Sequence, residues 1–147
     1  MIRLERDLPY PIEAVWSAIT DPEQRAMWFG RTRIEGGVID MVPTGPAFPV
    51  EAKRMTGRVL VWDPPHTFEH EWRQSFVEDS VVRYELAAID SGTRLTFTHR
   101  GLSAPNADGF TPGTQAFLDR LAAHLAGTPP PNWTERYREL AGKEPVL

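Results

Sequence analysis

The sequence predicts an α+β fold, in which a curved antiparallel sheet of about six to seven strands wraps around a long C-terminal helix. Between residues 30 and 99, side chains alternate with a period of two, and Gly, Pro and Asp turns divide the segments. These connections are too short for parallel crossovers, which need about a dozen residues or more, so the strands are predicted to be antiparallel. An apolar stripe with helical spacing follows them.

The N-terminal part predicts one strand and two short helices. Residues 2–8 alternate between apolar and charged side chains, which is typical of a strand with one solvated face. Residues 12–19 carry apolar side chains at helical spacing. A second helix is predicted from Asp21 to about Trp28, because an Asp cap, a Pro at the first position and an acidic first turn mark a helix start.

Six further strands are predicted in the middle of the chain. They are Thr32–Asp40, Val50–Met55, Thr56–Trp62, Thr67–Arg73, Val77–Ala88 and Thr93–His99. The break between the second and third of these is weak. A sheet of this length tends to curl, and its concave side must be covered. The long C-terminal helix has the apolar surface to cover it.

That helix is predicted from an apolar stripe near the C-terminus. The stripe consists of Phe110, Phe117, Leu121 and Leu125. Because Pro112 lies close to its start, we expect the regular helix to begin at Thr111 or to be kinked there. Gly127 is a natural C-terminal stop.

The predicted domain therefore covers residues 1–127, and residues 128–147 form a Pro-rich linker and a short helical tail. Trp133, Tyr137 and Leu140 have the spacing of a short helix. This helix can pack back on the domain or on a second subunit, so a homodimer stays open. We expect Trp133 and Tyr137 to be exposed.

Composition excludes several classes of site. The chain has no cysteine, which excludes a Cys nucleophile, a thiolate zinc site and a disulfide scaffold. The net charge is −4 and no basic run is present, which argues against nucleic acid as a partner. No stretch approaches the roughly 20 apolar residues of a membrane span, and the charged N-terminus is unlike a signal peptide. We expect a soluble cytoplasmic protein.

Candidate site residues are the side chains that alternation turns toward the concave face. In one predicted strand these are Phe68, His70 and Trp72, and in the last strand Phe97 and His99. The full predicted ligand-binding set is Trp28, Phe68, His70, Trp72, Tyr84, Phe97, His99, Phe110, Phe117 and Leu121. A pocket for an apolar ligand has a typical volume of roughly 300–1,000 Å³.

The two inward histidines have two interpretations. His70 and His99 are either polar contacts that orient a ligand, with a capacity for acid–base chemistry, or core histidines hydrogen-bonded to their surroundings. His66 and His70 do not suggest a metal pair, because four residues along a strand separate them by roughly 13 Å. No metal and no cofactor is predicted.

Several motifs, in order, resemble a known family. They are Pro11–Trp16 with Asp21-Pro22 and Trp28, Gly57–Pro65 with Trp72, and Gly92–Leu102 running into the terminal helix. Over roughly residues 2–126 the chain resembles the Hsp90-ATPase-activator-homologue-1-like family, of the START/Bet v 1-like helix-grip superfamily. The resemblance implies a helix-grip fold. That superfamily includes lipid and hormone binders and polyketide cyclases, so the resemblance implies a fold more than a chemistry.

Three functions follow as hypotheses. The leading one is non-catalytic binding of a small, largely apolar molecule of lipid or aromatic type, because the inward set is aromatic with few polar interruptions. The second is a cyclase- or hydratase-like enzyme that uses His70, His99 or Tyr84 to move protons. The third is a co-chaperone or regulatory interaction module, which the family name and the exposed tail aromatics would support.

Overall fold

Residues 1–146 are described by a computed structural model of the protein, and they form seven strands and five helices. In chain order these are β1 Ile2–Leu8, α1 Ile12–Thr20, α2 Pro22–Trp28, β2 Gly30–Glu35, β3 Val38–Pro43, α3 Val50–Lys53, β4 Met55–Asp63, β5 Thr67–Gln74, β6 Ser80–Ile89, β7 Gly92–Arg100, α4 Ala104–Ala126 and α5 Trp133–Ala141. The predicted α+β class, with two short helices after the first strand, is confirmed.

The seven strands form one curved antiparallel sheet in the order β1-β7-β6-β5-β4-β3-β2. From β2 to β7 each strand pairs with the next along the chain. β1 adds to the far edge beside β7, with Ile2 opposite His99 and Leu8 opposite Thr93. The helices α1 and α2 therefore connect the two edges of the sheet, and they pack on its concave face together with α4.

The predicted strand Thr32–Asp40 is wrong, because the chain reverses in its middle. Gly36 and Gly37 both have positive φ, 60° and 76°, and join β2 to β3 as a two-residue turn with Glu35 opposite Val38. Two successive positive φ values suit a primed hairpin turn, which glycine adopts without a steric cost.

The predicted strand Val50–Met55 is also wrong. Its first residues form the single helical turn α3, which follows Pro49 and has Glu51 in its first turn. An acid there complements the partial positive charge at a helix start. β4 then continues without interruption from Met55 to Asp63, which merges the weakly divided neighbours into one strand.

Helix α4 begins seven residues earlier than Thr111, at Ala104. Ser103 caps it, because its hydroxyl accepts a hydrogen bond from the Asn106 N–H at 3.3 Å. Pro112 lies inside the helix, which ends with Gly127 in the left-handed conformation. No helix in residues 1–146 combines the length and apolar character needed to cross a membrane.

The opposite, convex face of the sheet carries ion pairs. Glu69 lies between Arg83 and Arg100, with oxygen–nitrogen distances of 3.4 and 2.7 Å. Glu71 pairs with Arg58 at 3.0 Å. Strand alternation therefore separates a charged outer face from an apolar inner face.

Residues 128–146, called the C-terminal tail below, pack on α4. Trp133 and Tyr137 are 6% and 5% exposed, so the expectation that they are exposed was wrong. The indole of Trp133 occupies space left by two glycines. A Cβ atom built on Gly45 would lie 2.4 Å from this ring, and one on Gly113 would lie 3.0 Å from it.

Arg120 links the tail to the domain by hydrogen bonds. Its Nε donates a hydrogen bond to the Trp28 carbonyl at 2.8 Å, and its Nη1 donates to the Pro131 carbonyl. Burial lowers the pKa of this guanidinium, because desolvation disfavours its charge. One side chain of α4 thus joins the end of α2 to the proline linker.

Candidate functional site

A cavity of about 130 Å³ lies between the concave face of the sheet, the first half of α4, the β3–α3 loop and the C-terminal tail. Its walls are formed by Trp28, Phe29, Pro43, Gly45, Pro46, Lys53, Trp72, Gln74, Tyr84, Phe97, His99, Gly109, Phe110, Gly113, Thr114, Phe117, Leu118, Trp133, Tyr137, Pro145 and Val146. Most of these side chains are apolar or aromatic. The volume is smaller than the typical range for drug-sized ligands.

The sheet contributes four of the walls' large side chains, from three adjacent strands. Tyr84 on β6 is opposite Phe97 on β7, and their ring centres are 5.2 Å apart. Trp72 on β5 lies 5.1 Å from the ring of His99. Because residues two apart on a strand share a face, β7 directs both Phe97 and His99 inward.

Helix α4 forms the facing wall. Phe110 lies 6.4 Å from Trp72 and 6.0 Å from His99, measured between ring centres. Gly113 lies one turn further along on the same side of the helix, and Phe117 one turn beyond that. At this turn the helix has no side chain, and the Trp133 ring packs against it there.

The end of α2 forms a third wall, through Trp28 and Phe29. The indole N–H of Trp28 donates to the Ala18 carbonyl at 2.8 Å, and Phe29 stacks on Phe117 with ring centres 4.3 Å apart. Arg25 lies behind them, fully buried, with its guanidinium 4.8 Å from the centre of the Phe29 ring. Such cation–π contacts hold an aromatic ring in place.

The polar rim of the cavity comes from α3 and the end of β5. Lys53 Nζ donates to the Pro46 carbonyl at 2.9 Å, which holds the β3–α3 loop in place. Gln74 Nε2 donates to the Ala52 carbonyl at 3.1 Å, and Gln74 Oε1 accepts from the Trp72 indole at 3.0 Å. Partial burial lowers the pKa of Lys53.

His99 is a polar group on the floor of the cavity, which is the wall formed by the sheet. Its Nε2 forms a hydrogen bond of 2.8 Å with Ser80 Oγ, which orients the ring. Burial lowers the pKa of His99 to about 4, because desolvation disfavours the imidazolium. The side chain is therefore neutral at pH 7.

His70 lies outside the cavity, in the packed core between the rings of Phe68 and Trp72. Its Nδ1 is 2.9 Å from the Glu71 carbonyl, which can only accept, so Nδ1 carries the proton. Nε2 is buried and has no hydrogen-bond partner within residues 1–146. Burial lowers the pKa of His70 to about 3.

The predicted residues thus fall into two groups. At the cavity wall lie Trp28, Trp72, Tyr84, Phe97, His99, Phe110 and Phe117. Phe68, His70 and Leu121 lie in the adjoining core, each fully buried. Which of them bind a ligand stays a prediction.

Sequence reasoning missed two parts of the wall. Lys53 was assigned to a strand that does not form, and the tail residue Trp133 was expected to face solvent. A signal for the second was present, since Gly45 and Gly113 lack the side chains that would fill the space Trp133 occupies. Glycine in a helix interior costs stability relative to alanine, which suggests a packing reason for it.

Residues 9–126 match the sequence profile of the family described as Activator of Hsp90 ATPase homolog 1-like protein. The chain belongs to this family. The predicted relationship to the helix-grip superfamily is confirmed with it. Helix α5, which contributes one wall of the cavity, lies beyond the matched residues.

Several solved structures share this fold. A solution structure of a Bordetella parapertussis protein is 27% identical, with a TM-score of 0.76, covering 96% of this chain and 82% of that one. CalU16 from Micromonospora echinospora is 25% identical, with a TM-score of 0.71 and coverages of 95% and 84%. A Mesorhizobium loti protein is 22% identical, with a TM-score of 0.75 and coverages of 86% and 97%.

No functionally curated protein has significant similarity to this family member. The fold is of a kind that binds small molecules.

Proposed function

We propose that the protein binds a small, largely apolar molecule in the cavity between the sheet and α4. The observation that carries this proposal is the set of aromatic rings around about 130 Å³ of space. An apolar cavity of roughly 150 Å³ holds one benzene molecule. A ligand with a single ring therefore suits the volume, whereas a hormone- or lipid-sized ligand would require the tail to move.

The histidines favour binding over acid–base catalysis. His70 and His99 have pKa values of about 3 and about 4, so both are neutral at pH 7. A group whose pKa lies so far below the working pH is a weak general base, since proton transfer is most effective when the pKa and the pH are close. His99 is better suited to hydrogen-bonding a polar atom of a ligand.

The burial of the tail aromatics weakens the alternative of an interaction module. That alternative relied on an exposed Trp133 and an exposed Tyr137. Both rings instead pack together at 5.2 Å, and Trp133 also lies 5.6 Å from Phe117. Their apolar surface supports the cavity wall.

The test is a titration with benzyl alcohol, a neutral one-ring compound, followed by amide chemical shifts. We expect shifts in residues around Trp72 and Phe110, and the variant Trp72→Ala should bind at least about tenfold more weakly because it removes the largest ring on the floor. Trp62→Ala is the matched control. Trp62 is 48% exposed and contacts Trp16 and Phe68 away from the cavity.

Two results would contradict the proposal. One is the absence of any shift at millimolar benzyl alcohol. The other is equal weakening in Trp72→Ala and Trp62→Ala, which would mean that the compound binds elsewhere. Unfolding curves of both variants separate lost affinity from lost stability.

A further inference from the structure

Lys53 is a lone cation on an otherwise uncharged cavity wall. Of the lining residues within 1–146, it is the one that carries a formal charge at pH 7, because burial keeps His99 neutral. It is the last residue of α3. The α3 turn and the loop before it close one side of the cavity, and the ammonium group bonds to the carbonyl of Pro46, another residue of the wall.

The ammonium group keeps unused hydrogen-bonding capacity. It has three N–H donors, and one of them is used by the Pro46 carbonyl at 2.9 Å. Within residues 1–146, no carboxylate lies within 4.0 Å of Lys53 Nζ. The adjacent Arg54, by contrast, pairs with Asp40 through two nitrogens.

The position of this group is fixed from two sides. Its bond to Pro46 holds the loop on one side, and the Gln74 amide holds the Ala52 carbonyl on the other. Gln74 in turn accepts the indole N–H of Trp72, so the cation and the largest floor ring share one hydrogen-bonded frame. Trp72 and Lys53 both line the cavity, so one bound molecule can contact the two side chains.

Desolvation at this site favours an anionic partner. Partial burial lowers the pKa of Lys53, which means that its charge is less well solvated than in water. A carboxylate that reaches the ammonium group replaces the lost hydration with a charge-assisted hydrogen bond. An apolar surrounding strengthens this attraction, since the local dielectric constant is low.

Building on the proposed ligand site, we propose that the ligand is a one-ring aromatic carboxylate. Its ring lies among Trp72, Phe110 and Phe117, and its carboxylate pairs with Lys53 Nζ. The cavity volume limits the ligand to one ring, and the single cation on the wall favours a ligand with a negative charge. This goes beyond the proposed function, which requires only an apolar body.

The test compares benzoate with benzyl alcohol, which have the same ring and differ in charge. Calorimetric titration of the full chain should show benzoate binding at least about tenfold more tightly. Lys53→Met keeps most of the length of the side chain and removes its charge, so this variant should lose the preference for benzoate over benzyl alcohol. Lys53→Arg should retain a preference for the anion.

A matched control is available because the sequence has one other lysine, Lys143, which is exposed. Lys143→Met makes the same change away from the cavity wall and should keep the full preference for benzoate. Equal affinity of the wild type for both compounds, or a preference that survives in Lys53→Met, would overturn the carboxylate assignment and leave the apolar site intact. Failure of both compounds to bind the wild type would overturn the proposed function itself.

Discussion

The concave face of the sheet has two halves that differ in packing. Under α1 the rings of Trp16, Trp62 and Phe68 meet edge to face, with successive centres 5.5 Å apart, and they fill the space. Under the first half of α4 the rings of Trp72 and Phe110 are 6.4 Å apart and border the cavity. Both halves are aromatic, so aromatic content does not distinguish a packed core from a pocket.

The difference comes from what faces the rings. In the closed half, side chains of α1 reach the sheet. In the open half, the opposing surface includes Gly45, Pro46, Gly109 and Gly113, which present backbone or a compact ring. The Trp133 ring packs against Gly45 and Gly113, and the cavity lies between this ring, the small residues and the sheet.

The largest expected effect contrasts the two halves directly. Phe68→Ala should lower the free energy of unfolding by about 3–5 kcal/mol, because Phe68 is fully buried in close packing. Phe110→Ala should cost about 1–2 kcal/mol, since Phe110 is only partly buried and already borders empty space. Urea unfolding of both variants measures this. Equal losses would mean that the second half is as tightly packed as the first.

The next effect is a pH dependence of the free energy of unfolding, which comes from the buried His70. The pKa of His70 falls from 6.5 to about 3 in the folded state, so the unfolded state binds more protons between these values. Stability is therefore complete above pH 6.5 and declines as the pH falls, by at most about 1.4 kcal/mol per pH unit for this group. His99 adds the same sign between 6.5 and about 4.

His70→Asn removes one of these titrations and keeps an amide N–H near the Nδ1 position. Unfolding free energies at pH 7, 6 and 5 should fall less steeply in this variant than in the wild type, whatever its stability at pH 7. If the unfolding free energies of the variant and the wild type have the same slope against pH, the pKa of His70 is not lowered by burial and this prediction is wrong.

The last pair of variants tests the backbone wall of the cavity at two glycines. Gly45→Ala places a Cβ atom 2.4 Å from the Trp133 ring and should destabilise the protein by about 1–3 kcal/mol. Gly109→Ala meets nothing within 4 Å and lies in a helix, so it should stabilise the protein by about 0.5–1 kcal/mol. Thermal unfolding gives both signs, and near-UV circular dichroism reports the Trp133 environment. If Gly45→Ala does not change the stability, Trp133 packs only loosely against Gly45.

Periodicity predicted the faces of the sheet but not the location of the space. Strand alternation was sufficient to turn Trp72, Tyr84 and His99 inward, because the side-chain period of a strand is fixed by its backbone. It did not separate His70, in the core, from His99, at the cavity. That separation depends on the helix opposite each residue, which a local pattern does not encode.

The errors in element boundaries have local physical causes. Gly36 and Gly37 were placed inside a strand, although paired positive φ values make a turn there. Lys53 was missed because Pro49 starts a helical turn inside the segment Val50–Met55, which was predicted as a strand. Helix α4 extends N-terminally past Pro112 because the Ser103 cap sets its start, and the proline is tolerated within it.

Because Trp133 packs in the cavity wall, the cavity is formed by two parts of the chain, and their sequences differ in how freely they can change. The floor is constrained by strand register, where a slip of one residue would turn every side chain to the other face. The wall formed by α5 has no strand partner and lies outside the region matched by the family profile. Substitutions at Trp133 or Tyr137 can therefore reshape the chamber while the sheet stays unaltered, which makes this short helix the natural place to change the selectivity of the proposed ligand site, by evolution or by design.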